Sequence, residues 1–381
     1  MKNKILIDGL MLLSPFTGVA KYTYENSKRM HIQNSEIRYY YGYFSSKLVE
    51  PKLSDSKKIP FMKKFKAVIV KNELVKKFVR TVILKYLTYF YQEEFDLFWE
   101  PNHLSNANIK AKRRVTTVHD LSFHLHPDWH PKERVEYFEK YFWDEVVKSD
   151  RIITGSHCAK QELLQYIEFD ADKIDVIYHG VDHDNFKQYP KVILKNFRNR
   201  FNIPKKYILF VGSIEPRKNL FSLLSAYRKL DTTIKKEYKL VLVGFKGWRN
   251  DEIMSLLEAE KENIIYLGYL NDQELAYVYN MASLFCYPSF YEGFGLPPLE
   301  AMACGTPVIV SNLSSMPEVC GDAALYADPY DINDISKKMQ RLLENDLLQK
   351  EMAERGLEHV KRFTWEDAAS KHMDVFVRLL N

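Results

Sequence analysis

The 381-residue chain has no run of about 20 apolar residues, the length that a helix needs to cross a bilayer. The longest apolar stretch near the N-terminus, residues 5–13, is interrupted by Asp8, and no small-residue cleavage site follows it. We therefore interpret this stretch as a first β-strand and its loop rather than as a signal peptide.

Cysteine is scarce, and its arrangement excludes a disulfide framework. The chain has four cysteines, and no C-x-x-C pair or neighbouring His pair has the spacing of metal ligands. The cysteines are Cys158, Cys286, Cys304 and Cys320. We expect reduced, mostly buried thiols in a cytosolic protein.

The sequence also lacks a dinucleotide-binding motif and a closed cluster of metal-binding histidines. The sequence has no G-x-G-x-x-G fingerprint after an early strand, which argues against a dinucleotide-dependent oxidoreductase. His124, His126 and His130 lie close in sequence, but Pro127 between them is more typical of a loop than of a closed metal site. We predict no metal and no cofactor. Neither an internal repeat nor a low-complexity tract is present.

The composition is that of a folded, multidomain protein. Hydrophobic residues make up 46% of the chain, charged residues 28% and aromatic residues 14%. Since a single core stops growing at about 250–300 residues, a chain of this length predicts two domains. The net charge of +5 and the absence of a binding motif predict no nucleic-acid partner.

Positive charge is concentrated in the Lys-rich segment 52–80, where many lysines alternate with Phe, Val, Ile and Leu. One interpretation is docking on an anionic lipid surface, where each basic residue contributes about 1 kcal/mol. The alternatives are a solvated helix and loop, or contact with an anionic nucleotide or acceptor.

Short β-like runs alternate with amphipathic stretches along the whole chain, which predicts parallel βαβ units. Candidate strands are residues 4–8, 38–44, 97–100, 114–118, 151–154, 175–178, 207–211, 239–243, 264–267, 284–287 and 307–310. Candidate helices of the second half are residues 220–229, 252–262, 272–281, 296–303 and 333–344. The charged stretch 187–206 is interpreted as a linker between domains.

This pattern predicts a domain over residues 1–190 and a second over 191–364. A final helix over 365–381 follows, capped by Thr364 and Asp367. Two open sheets that face each other place a cleft at the carboxyl ends of their strands, where α/β proteins bind ligands.

Residues 288–312, PSFYEGFGLPPLEAMACGTPVIVSN, contain the most informative motif. Gly293 and Gly295 follow a candidate strand and precede a candidate helix. Backbone N–H groups at such a helix start favour anionic groups. Glu292 lies in the loop and Glu300 lies in the helix, so two carboxylates border the predicted cleft.

This long, gapless motif, with its Glu-x7-Glu spacing, resembles the signature of the family 4 retaining glycosyltransferases, which have the α/β GT-B fold of two Rossmann-like domains. The resemblance implies that Glu292 lies beside the donor sugar and that Glu300 binds the ribose hydroxyls of a nucleotide sugar. It also implies that the backbone at Phe294, Gly295 and Leu296 lines the sugar and the pyrophosphate.

A second segment, Gly212-Ser213-Ile214-Glu215-Pro216-Arg217-Lys218-Asn219, follows the first strand of the second domain. Cations at the tip of such a loop stabilise a departing diphosphate. The segment resembles the family's G-R-x-x-x-x-K-G loop. Lys218 takes the Lys position, but Ser213 stands where the family usually has Arg, and Arg217 is interpreted as the replacement.

Three weaker segments resemble other parts of the family's donor site. His119, at the end of the strand 114–118, matches a His that contacts the donor sugar. Gly18, in the segment TGVA, matches a Gly-rich loop near the donor phosphates. Tyr269 and Leu270 match the region that holds the nucleobase. The resemblance extends from about Arg114 to the C-terminus and is loose before it.

The combined motifs most resemble bacterial mannosyl- and rhamnosyltransferases of O-antigen and other surface polysaccharides. That resemblance implies GDP-mannose as the donor and a lipid-linked oligosaccharide as the acceptor. It also implies an enzyme in the cytoplasm, peripheral to the inner face of the cell membrane. No motif demands a metal, so we predict a metal-independent enzyme. A UDP-sugar donor and a non-catalytic nucleotide-sugar-binding protein remain as alternatives.

Overall fold

The computed structural model describes residues 2–13, 18–51, 93–102, 109–245 and 251–381. The Lys-rich segment 52–80 and Thr17 lie outside the described residues, so the membrane-docking interpretation is not addressed by the structure. No described helix is both long and apolar enough to span a bilayer.

Within these residues the first sheet has seven strands in the order β3-β2-β1-β4-β5-β6-β7. They are β1 (Asn3–Asp8), β2 (Ser35–Tyr40), β3 (Phe44–Ser45), β4 (Glu94–Glu100), β5 (Lys110–Val118), β6 (Arg151–Thr154) and β7 (Ile174–Val176). All neighbouring strands pair in parallel except β2 and β3. The strand order reverses between β1 and β4, where an open α/β sheet forms its binding crevice.

The second sheet has six described strands, all parallel, in the order β10-β9-β8-β11-β12-β13. They are β8 (Tyr207–Val211), β9 (Lys239–Val243), β10 (Ile264–Gly268), β11 (Leu284–Tyr287), β12 (Val308–Ser311) and β13 (Ala324–Ala327). The residues of β8, β11 and β12 are fully buried, since helices cover both faces. The order reverses between β8 and β11, and the two most informative motifs follow these two strands.

Helices cover both sheets. In chain order the described helices are α1 (Gly18–Arg29), α2 (Ser122–Leu125), α3 (Lys132–Val146), α4 (His157–Leu163), α5 (Lys191–Phe201), α6 (Leu220–Lys229), α7 (Thr232–Glu237), α8 (Asp251–Ala259), α9 (Asp272–Met281), α10 (Leu296–Ala303), α11 (Met316–Cys320), α12 (Ile332–Leu343), α13 (Asp346–His359) and α14 (Trp365–Leu380). Ser156 caps α4 by accepting a hydrogen bond from the Ala159 amide.

Two sequence-based expectations about local structure are wrong. The stretch 187–206 is not simply a linker, because it contains α5. The Phe197 side chain of this helix packs on Tyr277 in the hydrophobic core of the second domain. The expected strand 38–44 is a hairpin instead. Gly42 adopts a φ of +86° between β2 and β3, a conformation that favours glycine and reverses the chain.

The last helix, α14, returns to the first domain as predicted. The Thr364 side chain accepts a hydrogen bond from the Asp367 amide, and Trp365 and Phe376 are buried in the first core. Gly180 allows this return. A Cβ there would lie 2.2 Å from the Trp365 nitrogen, so glycine is required for this close backbone approach.

Candidate functional site

The candidate site lies where the loops after β8 and β11 meet the first domain. Residues 212–219 leave β8, residues 288–295 leave β11, and the Phe290 amide donates to the Arg217 carbonyl at 3.0 Å. The Gly293 position touches the first domain so closely that a Cβ would lie 2.0 Å from the His119 carbonyl oxygen. These contacts place the loops after β8 and β11 beside the end of β5 in the first domain, where the two-sheet pattern predicts a cleft.

Glu292 is the centre of a buried ionic cluster. Its Oε1 accepts hydrogen bonds from Lys218 Nζ at 2.6 Å and from the Tyr287 hydroxyl at 2.9 Å. Its Oε2 accepts from Arg217 Nη1 at 3.2 Å. Lys218 Nζ also donates to the Tyr287 hydroxyl at 2.5 Å. The carboxylate is 6% exposed, so these contacts replace its hydration.

The cluster fixes the charge of its members. Burial acts to raise the pKa of Glu292, but the charges of Arg217 and Lys218 outweigh it and hold that pKa below its usual value. Burial and the neighbouring Arg217 lower the pKa of Lys218. Burial acts to lower the pKa of Arg217, but Glu292, Asp120 and Glu215 raise it. Glu292 is thus an ionised carboxylate held between two cations.

Arg217 shares a carboxylate partner with Lys218 and also approaches the first domain. Its role as the replacement for the family arginine stays a prediction. Its guanidinium contacts Glu292, the same carboxylate that Lys218 contacts. A second nitrogen, Nη2, lies 3.2 Å from Glu215 Oε1, and Nη1 lies 3.8 Å from Asp120 in the first domain. The short 3₁₀ helix Pro216–Lys218 carries both cations, and Gly212 and Ser213 connect it to the end of β8.

His119 ends β5 and lies on the first-domain side of the cleft. Its Nε2 lies 2.8 Å from the Pro101 carbonyl oxygen. Because a carbonyl oxygen only accepts, Nε2 carries the proton. Burial lowers the pKa of His119, so the ring is neutral near pH 7. Its ring packs perpendicular to Tyr22 at 4.8 Å.

Glu300 contacts Lys21, a residue that sequence reasoning did not single out. Its Oε1 lies 3.2 Å from Nζ of Lys21, which also lies 3.1 Å from Asp272 Oδ2. Lys21 lies on α1 of the first domain, one turn after Gly18, and is 6% exposed. Its only sequence signal is a position next to the weak Gly-rich segment. The pair joins the two domains at the carboxylate expected to bind ribose.

Replacing Lys21 with methionine is expected to lower the free energy of unfolding by about 3–5 kcal/mol, because Glu300 then remains buried without its cation. Urea unfolding of the variant measures this loss. Lys28→Met is the matched control on the same helix, since Lys28 is 40% exposed at the side chain and its partner Glu25 keeps a second cation, Arg29. Equal losses in the two variants would contradict this account.

The remaining donor residues of the motif lie at the start of α10. Gly295 adopts a φ of +103° as the residue before the helix, and a Cβ there would lie 2.2 Å from Met316 Cε. Phe294 is buried, with its ring 4.6 Å from that of His179 in the first domain. Leu296 begins the helix, with prolines in its first turn as the motif predicts. The turn requires glycine at position 295.

The predicted nucleobase region lies further along the same edge of the sheet. The ring of Tyr269 stacks on that of Phe245 at 4.5 Å and 19°, and both are partly exposed, whereas Leu270 is buried. Gly18 begins α1, and a Cβ at this position would meet no atom within 4 Å. Space therefore remains beside Gly18, and the contact of Gly18 with the donor phosphates stays a prediction.

A chain of hydrogen bonds runs from Trp99 through Tyr22, whose ring packs against His119, to His372 on α14. The Trp99 indole donates to Thr117 Oγ1 at 3.0 Å, and this hydroxyl donates to the Tyr22 hydroxyl at 3.0 Å. Burial lowers the pKa of His372 to about 4, so its ring is neutral near pH 7, and Nδ1 donates to the Ala368 carbonyl at 2.7 Å. Nε2 of this neutral ring accepts from the Tyr22 hydroxyl at 2.6 Å, which leaves Thr117 to donate to Tyr22.

The melting temperature is expected to fall as the pH drops from 6.5 toward 4. Burial lowers the pKa of His372 from its ordinary 6.5 to about 4, so the unfolded chain binds an additional proton in this window. Such a shift corresponds to about 3 kcal/mol. Burial also lowers the pKa values of His119 and His179, which acts in the same direction.

His372→Gln tests this prediction, because the amide accepts a hydrogen bond but does not titrate. Its melting temperature should depend less steeply on pH between 6.5 and 4 than that of the unsubstituted protein, as calorimetry at several pH values would measure. Glu300, whose pKa burial raises, is present in both proteins and cancels in the comparison. Identical pH dependence would contradict the assignment.

The histidines and aspartates that lie close together in sequence each have their own hydrogen-bond partners. His124 Nδ1 lies 2.7 Å from Glu139, and His130 Nε2 lies 3.0 Å from Ser122 Oγ. Asp170 and Asp182, which each begin an Asp-x-Asp pair, accept hydrogen bonds from nearby backbone amides. Among the described residues, no group of three or more His, Cys, Asp or Glu side chains is arranged to hold a metal. Of the cysteines, three are buried and Cys158 is half-buried.

Further contacts join the two domains beside the cleft. Ser156 Oγ donates to the Gly293 carbonyl at 2.7 Å. The Glu318 carboxylate accepts hydrogen bonds from the amides of His157 and Cys158 at 2.7 and 3.0 Å, at the start of α4. These contacts hold the glycine-containing loop of the second domain against the strand ends of the first domain.

Comparison with known proteins agrees with this geometry. The family model described as glycosyltransferase family 4 matches residues 16–185, and that of glycosyl transferases group 1 matches residues 194–359. The O-antigen chain mannosyltransferase B of Escherichia coli is 35% identical over 95% of this chain and 96% of that protein. The serotype-specific mannosyltransferase WbdA of E. coli is 31% identical over 70% of this chain, and the matched region covers 34% of WbdA.

Solved structures share the architecture at lower sequence identity. Anabaena HepE in complex with UDP and glucose superposes with a TM-score of 0.70 at 16% identity, covering 99% of this chain and 100% of that chain. This likeness, with the two parallel α/β sheets, confirms the GT-B fold. From the family models and the full-length relative together, this chain is a glycosyltransferase that belongs to family 4.

Proposed function

We propose that the chain is a retaining, metal-independent mannosyltransferase. In this proposal it transfers mannose from GDP-mannose to a lipid-linked glycan in the synthesis of a surface polysaccharide such as O-antigen. The full-length relative and the WbdA proteins, which are named as mannosyltransferases, support mannose as the sugar. The observation that carries the proposal is the buried cluster in which Arg217 and Lys218 flank Glu292.

This cluster suits the chemistry of a nucleotide-sugar donor. A departing nucleoside diphosphate gains negative charge as its bond to the sugar breaks, and preorganised cations stabilise that charge. Arg217 and Lys218 are already oriented by the carboxylates around them, so little reorganisation is needed. Glu292, held ionised, favours positive charge that develops on the donor sugar.

The proposed transfer is a front-side displacement. The acceptor oxygen forms a bond to the anomeric carbon on the face from which the diphosphate leaves, through an oxocarbenium-like transition state. The bond between the anomeric carbon and the phosphate oxygen breaks with its electron pair going to phosphate. The acceptor's proton passes to that phosphate oxygen, so GDP leaves and the anomeric configuration is retained.

The neutral ring of His119 is proposed to position the donor sugar from the first-domain side of the cleft. The contacts of Ser156 with Gly293 and of Lys21 with Glu300 join the domains around the same space. Closure of the two domains through these contacts excludes water, which would otherwise compete with the acceptor for the anomeric carbon.

A thermal-shift panel with GDP, UDP, dTDP, ADP and NAD tests the donor. GDP alone is expected to raise the melting temperature, since a ligand at 100 times its dissociation constant stabilises the protein by about 2.7 kcal/mol. A shift with UDP alone would replace GDP-mannose by a UDP-sugar as the donor. A shift with NAD alone, or with none of the five, would contradict the transferase proposal.

Association with the inner face of the cell membrane is part of the same proposal. Its support is the Lys-rich segment 52–80, which lies outside the described residues, together with the lipid-linked nature of the proposed acceptor. Charge reversal at Lys63, Lys64 and Lys66 is expected to weaken binding to anionic vesicles in a sedimentation assay. Unchanged vesicle binding would favour a solvated segment.

A further inference from the structure

The Tyr291 hydroxyl joins the two loops that carry the candidate catalytic side chains. Tyr291 precedes Glu292 in the second domain and is 4% exposed. Its hydroxyl accepts a hydrogen bond from the Leu121 amide at 3.2 Å and donates to Glu162 Oε2 at 2.5 Å. Leu121 and Glu162 belong to the first domain, and Leu121 lies two residues after His119. One phenol therefore connects the loop of Glu292 to the end of β5.

The partners of the hydroxyl fix the direction of both hydrogen bonds. A backbone amide only donates, so the oxygen of Tyr291 accepts from Leu121. Burial raises the pKa of Tyr291 well above its usual value, so the hydroxyl keeps its proton and donates it to Glu162. Burial also raises the pKa of Glu162, and the hydrogen bond from Tyr291 opposes that shift by stabilising the carboxylate. The three groups form one directed chain from the amide to the carboxylate.

A single short helix of the first domain contacts both chain neighbours of Glu292. Ser156, the residue before α4, donates its hydroxyl proton to the Gly293 carbonyl at 2.7 Å. Glu162, near the end of α4, accepts the hydrogen bond from Tyr291. Residues 291 and 293 lie on either side of Glu292 in the chain. The helix α4 therefore holds the loop on both sides of that carboxylate.

Glu292 itself is held from within the second domain. Its amide donates to Ser314 Oγ at 3.0 Å, and its carbonyl accepts from Ser315 Oγ at 2.8 Å. The described partners of its side chain also belong to the second domain, namely Tyr287, Arg217 and Lys218. Removal of the Tyr291 hydroxyl would leave these contacts in place and change how the loop is aligned with the first domain.

This alignment matters because, in the proposed reaction, His119 and Glu292 act on the donor sugar from opposite domains. A misplacement of about 1 Å between reacting groups can cost about 10²-fold in rate. We propose that Tyr291 is a positioning residue, whose two hydrogen bonds to the first domain set the distance between Glu292 and His119. This inference rests on the proposed function, in which both side chains contact the donor sugar.

Initial-rate kinetics of Tyr291→Phe, which keeps the ring and loses the hydroxyl, test the inference with GDP-mannose as donor and octyl α-mannobioside as acceptor. The kcat is expected to fall about tenfold, while the dissociation constant of GDP stays unchanged in calorimetry, because the cations of the second domain are intact. An unchanged kcat would overturn the proposal. Equal losses in kcat and in GDP affinity would also overturn it, because the hydroxyl would then only maintain the donor site of the second domain.

Tyr227→Phe is the matched control. The Tyr227 hydroxyl donates to the Tyr238 carbonyl at 2.9 Å, just before β9 and therefore at the edge of the second sheet opposite the cleft. Its removal is expected to lower the melting temperature without changing kcat. A kcat as low as that of Tyr291→Phe would mean that loss of any buried tyrosine hydroxyl lowers turnover, which overturns the positioning role.

Substitutions of Glu162 separate the hydrogen bond from the charge. Glu162→Gln keeps an oxygen that accepts from Tyr291 and is expected to retain most of the kcat, whereas Glu162→Leu should lose about tenfold. Adding Tyr291→Phe to Glu162→Leu should cost little more, because both substitutions remove the same contact. Losses that multiply in the double variant would overturn the proposal.

Hydrogen exchange reads the contact without turnover, so a failure of the proposed donor is recognised separately. If the unsubstituted protein does not transfer mannose from GDP-mannose, the proposed function fails, and exchange of the Leu121 amide still tests the contact. Faster exchange of this amide in Tyr291→Phe, but not in Tyr227→Phe, supports the positioning role. Equal exchange in the two variants and in the unsubstituted protein overturns it.

Discussion

Replacing Glu292 with glutamine is expected to lower kcat on the order of 10³-fold, the size of effect seen when one preorganised electrostatic group is removed from an active site. Glutamine keeps the size of the side chain but removes the negative charge that lies between Arg217 and Lys218. The variant no longer favours positive charge on the donor sugar. Initial-rate kinetics with GDP-mannose measure the loss, and the melting temperature reports whether the protein remains folded.

Glu215→Gln is the matched control for Glu292. Glu215 contacts the same guanidinium, with Arg217 Nη2 at 3.2 Å from its Oε1. Among the described contacts, its carboxylate makes no salt bridge with the Lys218 ammonium, and only its backbone carbonyl accepts from the Lys218 amide at 3.1 Å. If Glu292 acts on the donor sugar, its substitution costs far more than that of Glu215. Near-normal turnover by Glu292→Gln, or equal losses in the two variants, would remove Glu292 from the catalytic machinery.

The second large effect is expected for Lys218→Met. Removing this ammonium is expected to lower kcat/KM by about 10²–10³-fold and to weaken GDP binding, because one of the two cations that stabilise the diphosphate is lost. Glu292 keeps its contact with Arg217, so the fold should survive. Kinetics with GDP-mannose and calorimetry with GDP measure the two effects separately.

Arg217→Met tests whether Arg217 replaces the arginine that the family usually has at the position of Ser213. If Arg217 replaces the arginine that is absent at Ser213, its loss should match that of Lys218→Met. Lys206→Met is a control for removal of a cation, since Lys206 is 50% exposed at the side chain in a surface pair with Glu237. An Arg217 variant as active as the control would show that this guanidinium does not act on the diphosphate.

Much of the fold was predictable because its signals are local. Buried parallel strands are short apolar runs, and the predicted runs 207–211, 239–243 and 284–287 coincide with β8, β9 and β11. The loop around Glu292 was predictable because two glycines and two prolines in fixed order favour one strand–turn–helix path. Gly295 at a φ of +103° is one physical reason for that order.

The contacts that complete the site were not predictable, because they join residues distant in sequence. Lys21 and Glu300 are separated by 279 positions, and their pairing depends on how the two domains face each other. The ring contact between Trp129 of the first domain and Phe290 of the second likewise depends on how the domains face each other. The helix α5 was missed because its polar face resembles a charged linker, whereas Phe197 packs in the second core.

The anomeric configuration of the product tests the central claim most directly. GDP-mannose and octyl α-mannobioside would be incubated with the protein, and the new linkage would be assigned from the one-bond carbon–proton coupling of its anomeric carbon. Because the mannose of GDP-mannose is α-linked, the proposed retaining reaction predicts an α-linked mannosyl product. A β-linked product would contradict the front-side displacement, and the absence of any transferred mannose would contradict the assignment as a mannosyltransferase.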